Sequence, residues 1–243
     1  MTAGGCMNEG VTSTRLGMIG IPPIAEELMV ARDIILLGYV PHARYHVAHI
    51  STRGALEQVK RAKAAGLNVT AEVTPHHFAL TEEVVKSFDT NTKMNPPLRT
   101  KADVDSLIQG LKDGTIDVIA SDHAPHTIDE KEVEYTQAPF GIVGLETSVG
   151  LSMTELFHKQ ILTIAQLIEK LSTNPRRILS LPTIEFKEGV TANITLLDPN
   201  VEWTVDPSRF QSKSKNSPFG GFKLKGKSIG VMNNGKVLFS QKS

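Results

Sequence analysis

Ile119-Ala120-Ser121-Asp122-His123-Ala124-Pro125-His126 is the stretch from which the fold can be read. Val118-Ile119-Ala120 is a short apolar run with β-branched residues, the mark of a buried strand. Ser121-Asp122-His123 ends it, and Pro125 removes the donor a longer ladder would need. One carboxylate and two imidazoles are therefore delivered where a strand stops, which is where parallel α/β folds keep their chemistry. An Asp and a His can also simply cap a turn. What separates the two readings is whether other strands end in the same way.

Upstream, they do. Asn68 to Val73 reads as a strand and stops at Thr74-Pro75-His76-His77. Tyr45 to Ile50 reads as another and carries His46 and His49. These two differ by three positions, so on a continuous strand they face opposite sides, and only one can point inward. Amphipathic segments lie between the strands. Arg53 to Ala65 is closed by Gly66, and Lys101 to Asp113 is followed by Gly114. A helix from Thr81 to Ser87 has Thr81 as its N-cap, and one from Pro22-Pro23 to Leu37 carries Glu26 and Glu27 early and Gly38 at its end. Strand–helix–strand–helix–strand with His or Asp at each strand end predicts a parallel sheet, with a metal centre on its carboxyl face. Lys93-Met94-Asn95-Pro96-Pro97-Leu98-Arg99 is stiffened by its prolines and offers Asn95 as one fixed polar side chain, although a turn Asn can equally be a cap.

Outside this core the signals are weaker. Residues 1 to 21, rich in Gly, Thr and Met, have no clear period and read as a loop. Residues 127 to 146 form a long loop in which Ala138-Pro139-Phe140-Gly141-Ile142 could expose backbone groups to a ligand. Helices are expected over Thr147–Phe157, Ile164–Leu171 and Asn174–Ile178. After Thr183 the period changes. Gly189 to Asp198 reads as a turn and a strand, short strands follow near Trp203, Phe222–Leu224, Ser228–Met232 and Val237–Phe239, and Asn234-Gly235 is a hairpin turn. This gives two regions, 1–182 and a small β module, 183–243.

Composition narrows the function classes. The 243 residues are 40% hydrophobic and 21% charged, an ordinary globular balance. Lys plus Arg equals Asp plus Glu at 26 each, so no basic surplus points to nucleic acid. No apolar run approaches the roughly 20 residues of a membrane span, and the N-terminus has no signal-peptide pattern. A single cysteine, Cys6, excludes an internal disulfide and fits a reducing compartment, so a cytoplasmic location is expected.

The motifs together resemble one family. Ala120-Ser121-Asp122-His123-Ala124-Pro125-His126 with Lys131 beyond it is similar to a dihydroorotase signature. His49-Ile50-Ser51-Thr52, Val73-Thr74-Pro75-His76-His77, the Lys93–Arg99 loop and Gly144-Leu145-Glu146-Thr147 resemble segments of the long, bacterial dihydroorotases in the same order. Gly189 to Asp198 and Asn216-Ser217-Pro218-Phe219 resemble the C-terminal β module of cyclic amidohydrolases.

The resemblance implies an α/β protein, part of a metal-dependent amidohydrolase (β/α)8 barrel carrying its last three or so βα units, plus that module. It implies a hydrolase on cyclic amides that interconverts dihydroorotate and N-carbamoyl-L-aspartate in pyrimidine biosynthesis, with one or two Zn2+ ions. His49 and Asp122 would be zinc ligands, and Asp122 also the catalytic acid/base. Asn95, His126, Phe140 and Gly141 would bind substrate, the last two through their backbone. His76 and His77 are family residues that are not taken as ligands. A zinc ion polarises a carbonyl and brings a water's pKa to about 7 from about 15.7, which suits hydrolysis of an amide at neutral pH. The implied partners are the small-molecule substrate, a second copy of the chain or aspartate transcarbamoylase, with no nucleic acid and no membrane. Related dihydropyrimidinases, hydantoinases and allantoinases share the barrel, and a non-catalytic dihydroorotase-like scaffold is the other alternative.

One departure stands out. The family's Asp-x-His-x-His-x-Arg signature, its fourth-strand carboxylate and its fifth-strand histidine have no counterpart in these residues. A barrel needs eight strands and a catalytic zinc three or more protein ligands. The chain alone is therefore expected to be an inactive, poorly soluble C-terminal portion of such an enzyme.

Overall fold

The computed structural model describes residues 4–239. Residues read as a featureless loop form a small unit of β1 (Met7–Asn8), α1 (Val11–Leu16) and β2 (Gly20–Ile21), with the two strands parallel. Two-residue strands leave no room for a period, so alternation could not reveal them. Gly20 permits the pairing, because a Cβ there would lie 2.3 Å from the Glu9 Cα.

α2 (Pro23–Tyr39) begins at its proline and runs through Gly38, one residue past the expected stop. The central sheet follows as β3 (Tyr45–Val47), β4 (Val69–Val73) and β5 (Val118–Ile119), parallel and in that order. Register pairs His46 with Thr70 and Glu72 with Val118. The crossovers are α3 (Arg53–Ala64), then α4 (Pro75–Ala79) and α5 (Lys101–Asp113). Val69, Ala71 and Val73 are buried on one face of β4 and pack with Val59, Leu107, Leu111 and Leu156 in one apolar cluster. Thr70 and Glu72, on the alternate positions, turn to the other face, where the strand ends converge.

Local signals explain the helix ends. Thr52 accepts the Ala55 N–H, and Thr100 and Asp103 form a reciprocal capping box. The expected helix at 81–87 is a 3-10 helix over Glu82–Ser87, and Thr81 makes no cap bond. Glu82 instead turns inward to accept hydrogen bonds from Asn8 (2.5 Å) and Thr12 (2.9 Å), a tertiary pull that propensity does not register.

The loop expected over 127–146 contains α6 (Ile128–Lys131), capped by Thr127. α7 (Leu145–Ser152) continues through a π turn to Phe157, and α8 (Ile164–Ile168) continues through another into α9 (Asn174–Ile178). Beyond the 182/183 boundary stand β6 (Ile194–Thr204), β7 (Lys223–Asn233) and β8 (Lys236–Phe239), an antiparallel meander. The strand expected at Val237–Phe239 is β8, while the other short strands expected here are two long ones whose pairing is interrupted by register shifts between Leu196 and Leu197 and between Asp198 and Glu202. The Asn234-Gly235 turn is present, both residues having positive φ. This module shares its apolar core with the rest of the chain. Val205, Phe210, Phe219 and Leu224 pack with Leu80, Met94, Leu98 and Leu151 in a second cluster that crosses the boundary.

Candidate active site

The strand ends bring His49 and Asp122 together. His49 lies two residues beyond β3, Asp122 three beyond β5, and His49 Nε2 stands 3.5 Å from Asp122 Oδ1. Both adopt positive φ, 51° and 45°. For residues with a Cβ this region is costly and gathers at functional sites. Both are about 30% exposed, enough to meet a small molecule.

Glu72 sits between His46 and His49, on the side of the His49 ring away from Asp122, and is the residue sequence reasoning missed. Its carboxylate takes His46 Nε2 at 3.1 Å and His49 Nδ1 at 2.7 Å. The second contact is close, although among the described residues His49 Nδ1 meets no partner in well-directed hydrogen-bond geometry. The Glu72 carboxylate raises the His49 pKa, against the opposing effect of burial. Burial alone would push Glu72 up, but the bonds and charges of His46 and His49 bring it to about 2. The expectation that only one of His46 and His49 could turn inward fails, since both hold Glu72. The reason is that β3 stops at Val47 and the chain turns at His49, so strand parity no longer applies. A signal for Glu72 was present: a lone acid on the face of β4 opposite Val69, Ala71 and Val73.

Of the residues expected to bind substrate, His126, Phe140 and Gly141 form a second group. His126 Nε2 lies 2.9 Å from the Phe140 carbonyl, and the Gly141 N–H donates to the Lys93 carbonyl at 2.9 Å. The backbone groups through which Phe140 and Gly141 were expected to act thus already have protein partners. Gly141 is required at this spot, with φ 123° and an added Cβ only 2.5 Å from the Ala124 Cβ. Asn95 is exposed two residues from Lys93. Behind it, His77 is fully enclosed, with Nδ1 2.7 Å from Thr74 Oγ1 and Nε2 2.9 Å from the Pro96 carbonyl. Burial lowers its pKa to about 4 and holds that of His76 well below the usual imidazole range. These two histidines are parts of the wall.

The donor chemistry of His49 and Asp122, one imidazole and one carboxylate, suits zinc, and Glu72 on the far His49 nitrogen is the outer carboxylate such ligands commonly have. Among the described residues, no group of three or more His, Cys, Asp or Glu side chains is arranged to hold a metal ion. The fit is that of two ligands of a larger set. Among the same residues, no helix is long and apolar enough to cross a membrane.

Comparison with known proteins follows the same lines. The amidohydrolase family model matches residues 25–238. A dihydroorotase of Chlorobaculum tepidum is 53% identical across 98% of this chain and 57% of its own length. One from Pelotomaculum thermopropionicum is 52% identical across 100% of this chain and 56% of its own. Among solved structures, the L-hydantoinase (dihydropyrimidinase) of Arthrobacter aurescens superposes with a TM-score of 0.83 at 27% identity, over 89% of this chain and 49% of that one. The chain thus spans about half the length of the curated relatives it matches. Family model and sequence relatives agree on its lineage: the chain belongs to the amidohydrolase family, and the relatives it matches at about half identity are dihydroorotases.

Proposed function

We propose that this chain supplies the last three strands, and part of the metal and substrate sites, of a zinc-dependent dihydroorotase, with residues 1–182 as barrel portion and 183–243 as β module. The observation that carries the reading is the convergence of His49 and Asp122 at 3.5 Å from the ends of two parallel strands. His49 and Asp122 would hold zinc together with ligands from further strands. Zinc would supply a Lewis acid that polarises the ring carbonyl and eases ionisation of the attacking water.

The remaining roles belong to side chains of this chain. Asp122 Oδ receives the proton of the attacking water and delivers it to the leaving ring nitrogen, a general acid/base role. Glu72 keeps the His49 ring in one orientation, with Nε2 towards Asp122. His126 and Asn95 hold the substrate's carboxylate and carbonyl, a positioning role, and the loop at Phe140 and Gly141 lies against the ring.

Hydantoinase and dihydropyrimidinase chemistry is the competing reading, favoured by the structural likeness to the Arthrobacter aurescens enzyme. The higher identity to dihydroorotases favours the first. Zinc content and turnover of dihydroorotate, dihydrouracil and hydantoin, measured with the chain alone and with a polypeptide carrying the other barrel strands, decide between them. Zinc retention and dihydroorotate turnover in the mixture are expected. Turnover of dihydrouracil alone would overturn the reading.

A further inference from the structure

Asn216 belongs to the C-terminal module by sequence, yet its side chain lies between the two loops that follow β5. It is 6% exposed. Its Oδ1 accepts the His126 N–H at 3.2 Å, and its Nδ2 donates to the Ala124 carbonyl at 3.0 Å and the Gly141 carbonyl at 3.2 Å. Its own carbonyl accepts the Val143 N–H at 3.0 Å. One carboxamide therefore bonds to both flanks of the substrate loops, with donors and acceptor all used.

The loops leave little slack. The Ala124 N–H donates to the Ile142 carbonyl at 2.8 Å, and the Gly144 Cα lies where a Cβ would come within 2.4 Å of the Ser121 carbonyl. His123 adds a parallel tie to the same module. Its Nδ1 accepts the Gly144 N–H at 3.2 Å, and its Nε2 lies 3.3 Å from Ser212 Oγ. Backbone bonds alone could hold such loops near each other. Among the described residues, Asn216 alone reaches the His126 N–H and the Gly141 carbonyl with one planar group, so beside the direct contact of His126 Nε2 with the Phe140 carbonyl at 2.9 Å it holds the backbones of the two loops at a set separation.

We propose that Asn216 is a positioning residue of the site: from the C-terminal module it sets the spacing of the loops carrying His126 and Gly141, and with it the subsite for the substrate's carboxylate. This rests on the dihydroorotase reading for the identity of the substrate, whereas the loop geometry stands apart from it. A buried Asn that merely filled space would contribute to stability and leave substrate affinity alone.

Two variants separate these roles. Asn216→Asp keeps the size and one acceptor, but turns a carboxylate oxygen towards the Ala124 and Gly141 carbonyls. Asn216→Ser removes the clamp without adding charge. In the chain alone, hydrogen exchange at the His126 amide is expected to quicken about tenfold in Asn216→Ser, which loses the carboxamide acceptor, the size of one lost hydrogen bond, while the β6–β7 ladder stays protected. With the other barrel strands supplied, KM for dihydroorotate should rise about tenfold in Asn216→Asp and less in Asn216→Ser, with kcat within about threefold, the pattern of lost ground-state and transition-state binding in equal measure. Unchanged exchange at the His126 amide in Asn216→Ser, or a lowered melting temperature with unchanged KM, would overturn the proposal. If the wild-type mixture turns over no dihydroorotate, the dihydroorotase reading falls, and the exchange result still judges the clamp.

Discussion

At His77 an imidazole is enclosed on all sides and bonded through both nitrogens, to Thr74 and to the Pro96 carbonyl. Burial holds its pKa at about 4 in the folded chain, against roughly 6.5 unfolded. Between those values the unfolded chain binds a proton that the folded chain refuses, so stability is fully present above pH 6.5 and falls as pH drops towards 4. Going from pH 7 to pH 5 this one group should remove about 2 kcal/mol. His76, also lowered by burial, adds in the same direction. Urea unfolding of His77→Gln at the two pH values should show that much less acid sensitivity than wild type, and an equal loss in both would exclude the assignment. A second residue-scale test concerns Glu72. Its carboxylate raises the His49 pKa, so Glu72→Gln should lower the midpoint seen in NMR titration of the His49 ring. His49 and Asp122 were legible in the sequence because they sit where apolar strands break. Glu72 was harder to find, because its part depends on which face of β4 it occupies and on a turn at His49, beyond the end of β3, where strand parity no longer applies.

Elements are tied together here by one buried guanidinium. Arg99, 2% exposed, donates from Nη1 to Asn8 Oδ1 (2.7 Å) and the Ile21 carbonyl (2.8 Å), and from Nε to Ser51 Oγ (3.1 Å). Its Nη2 lies 3.6 Å from Glu26, whose Oε1 also accepts the Ser51 and Thr52 N–H groups at the start of α3. The β1–α1–β2 unit, α2 and α3 therefore meet at one side chain. Removing one partner of a buried charge cluster costs about 3–5 kcal/mol, and for a chain of this size each kcal/mol is worth roughly 2–4 °C. Arg99→Ala should lower the melting temperature by about 10 °C, and hydrogen exchange should rise first at Met7, Asn8 and Ile21. Loss confined to α5 would contradict the tie. The long amphipathic elements, α3 and α5, were readable because period and caps agree over several turns. The unit at 7–21 and the inward turn of Glu82 were not, because their stability comes from partners 70 or more residues away in the chain, beyond any local window.

Across the whole molecule, the central sheet has three strands in the order β3-β4-β5, so both outer strands offer unpaired backbone groups among the described residues. α2 carries an exposed apolar strip, with Ile35 at 73%, Tyr39 at 85% and Leu36 at 53% exposure, and Phe186 and Phe239 are open on the module side. Surface of this kind seeks cover, and open sheet edges promote association. The curated dihydroorotases it matches are nearly twice as long, and on the proposed reading further strands would cover this surface and supply the ligands missing beside His49 and Asp122. The expectation for the chain alone is self-association in sedimentation, binding of a hydrophobic dye, no retained zinc and no turnover of dihydroorotate. With a polypeptide carrying the other strands, dye binding should fall as a one-to-one complex forms, and zinc and activity should appear together. Zinc held stoichiometrically by the isolated chain would mean that His49 and Asp122 recruit their remaining ligands from this chain or from a second copy of it, and the shared-site reading would then give way to a self-contained one.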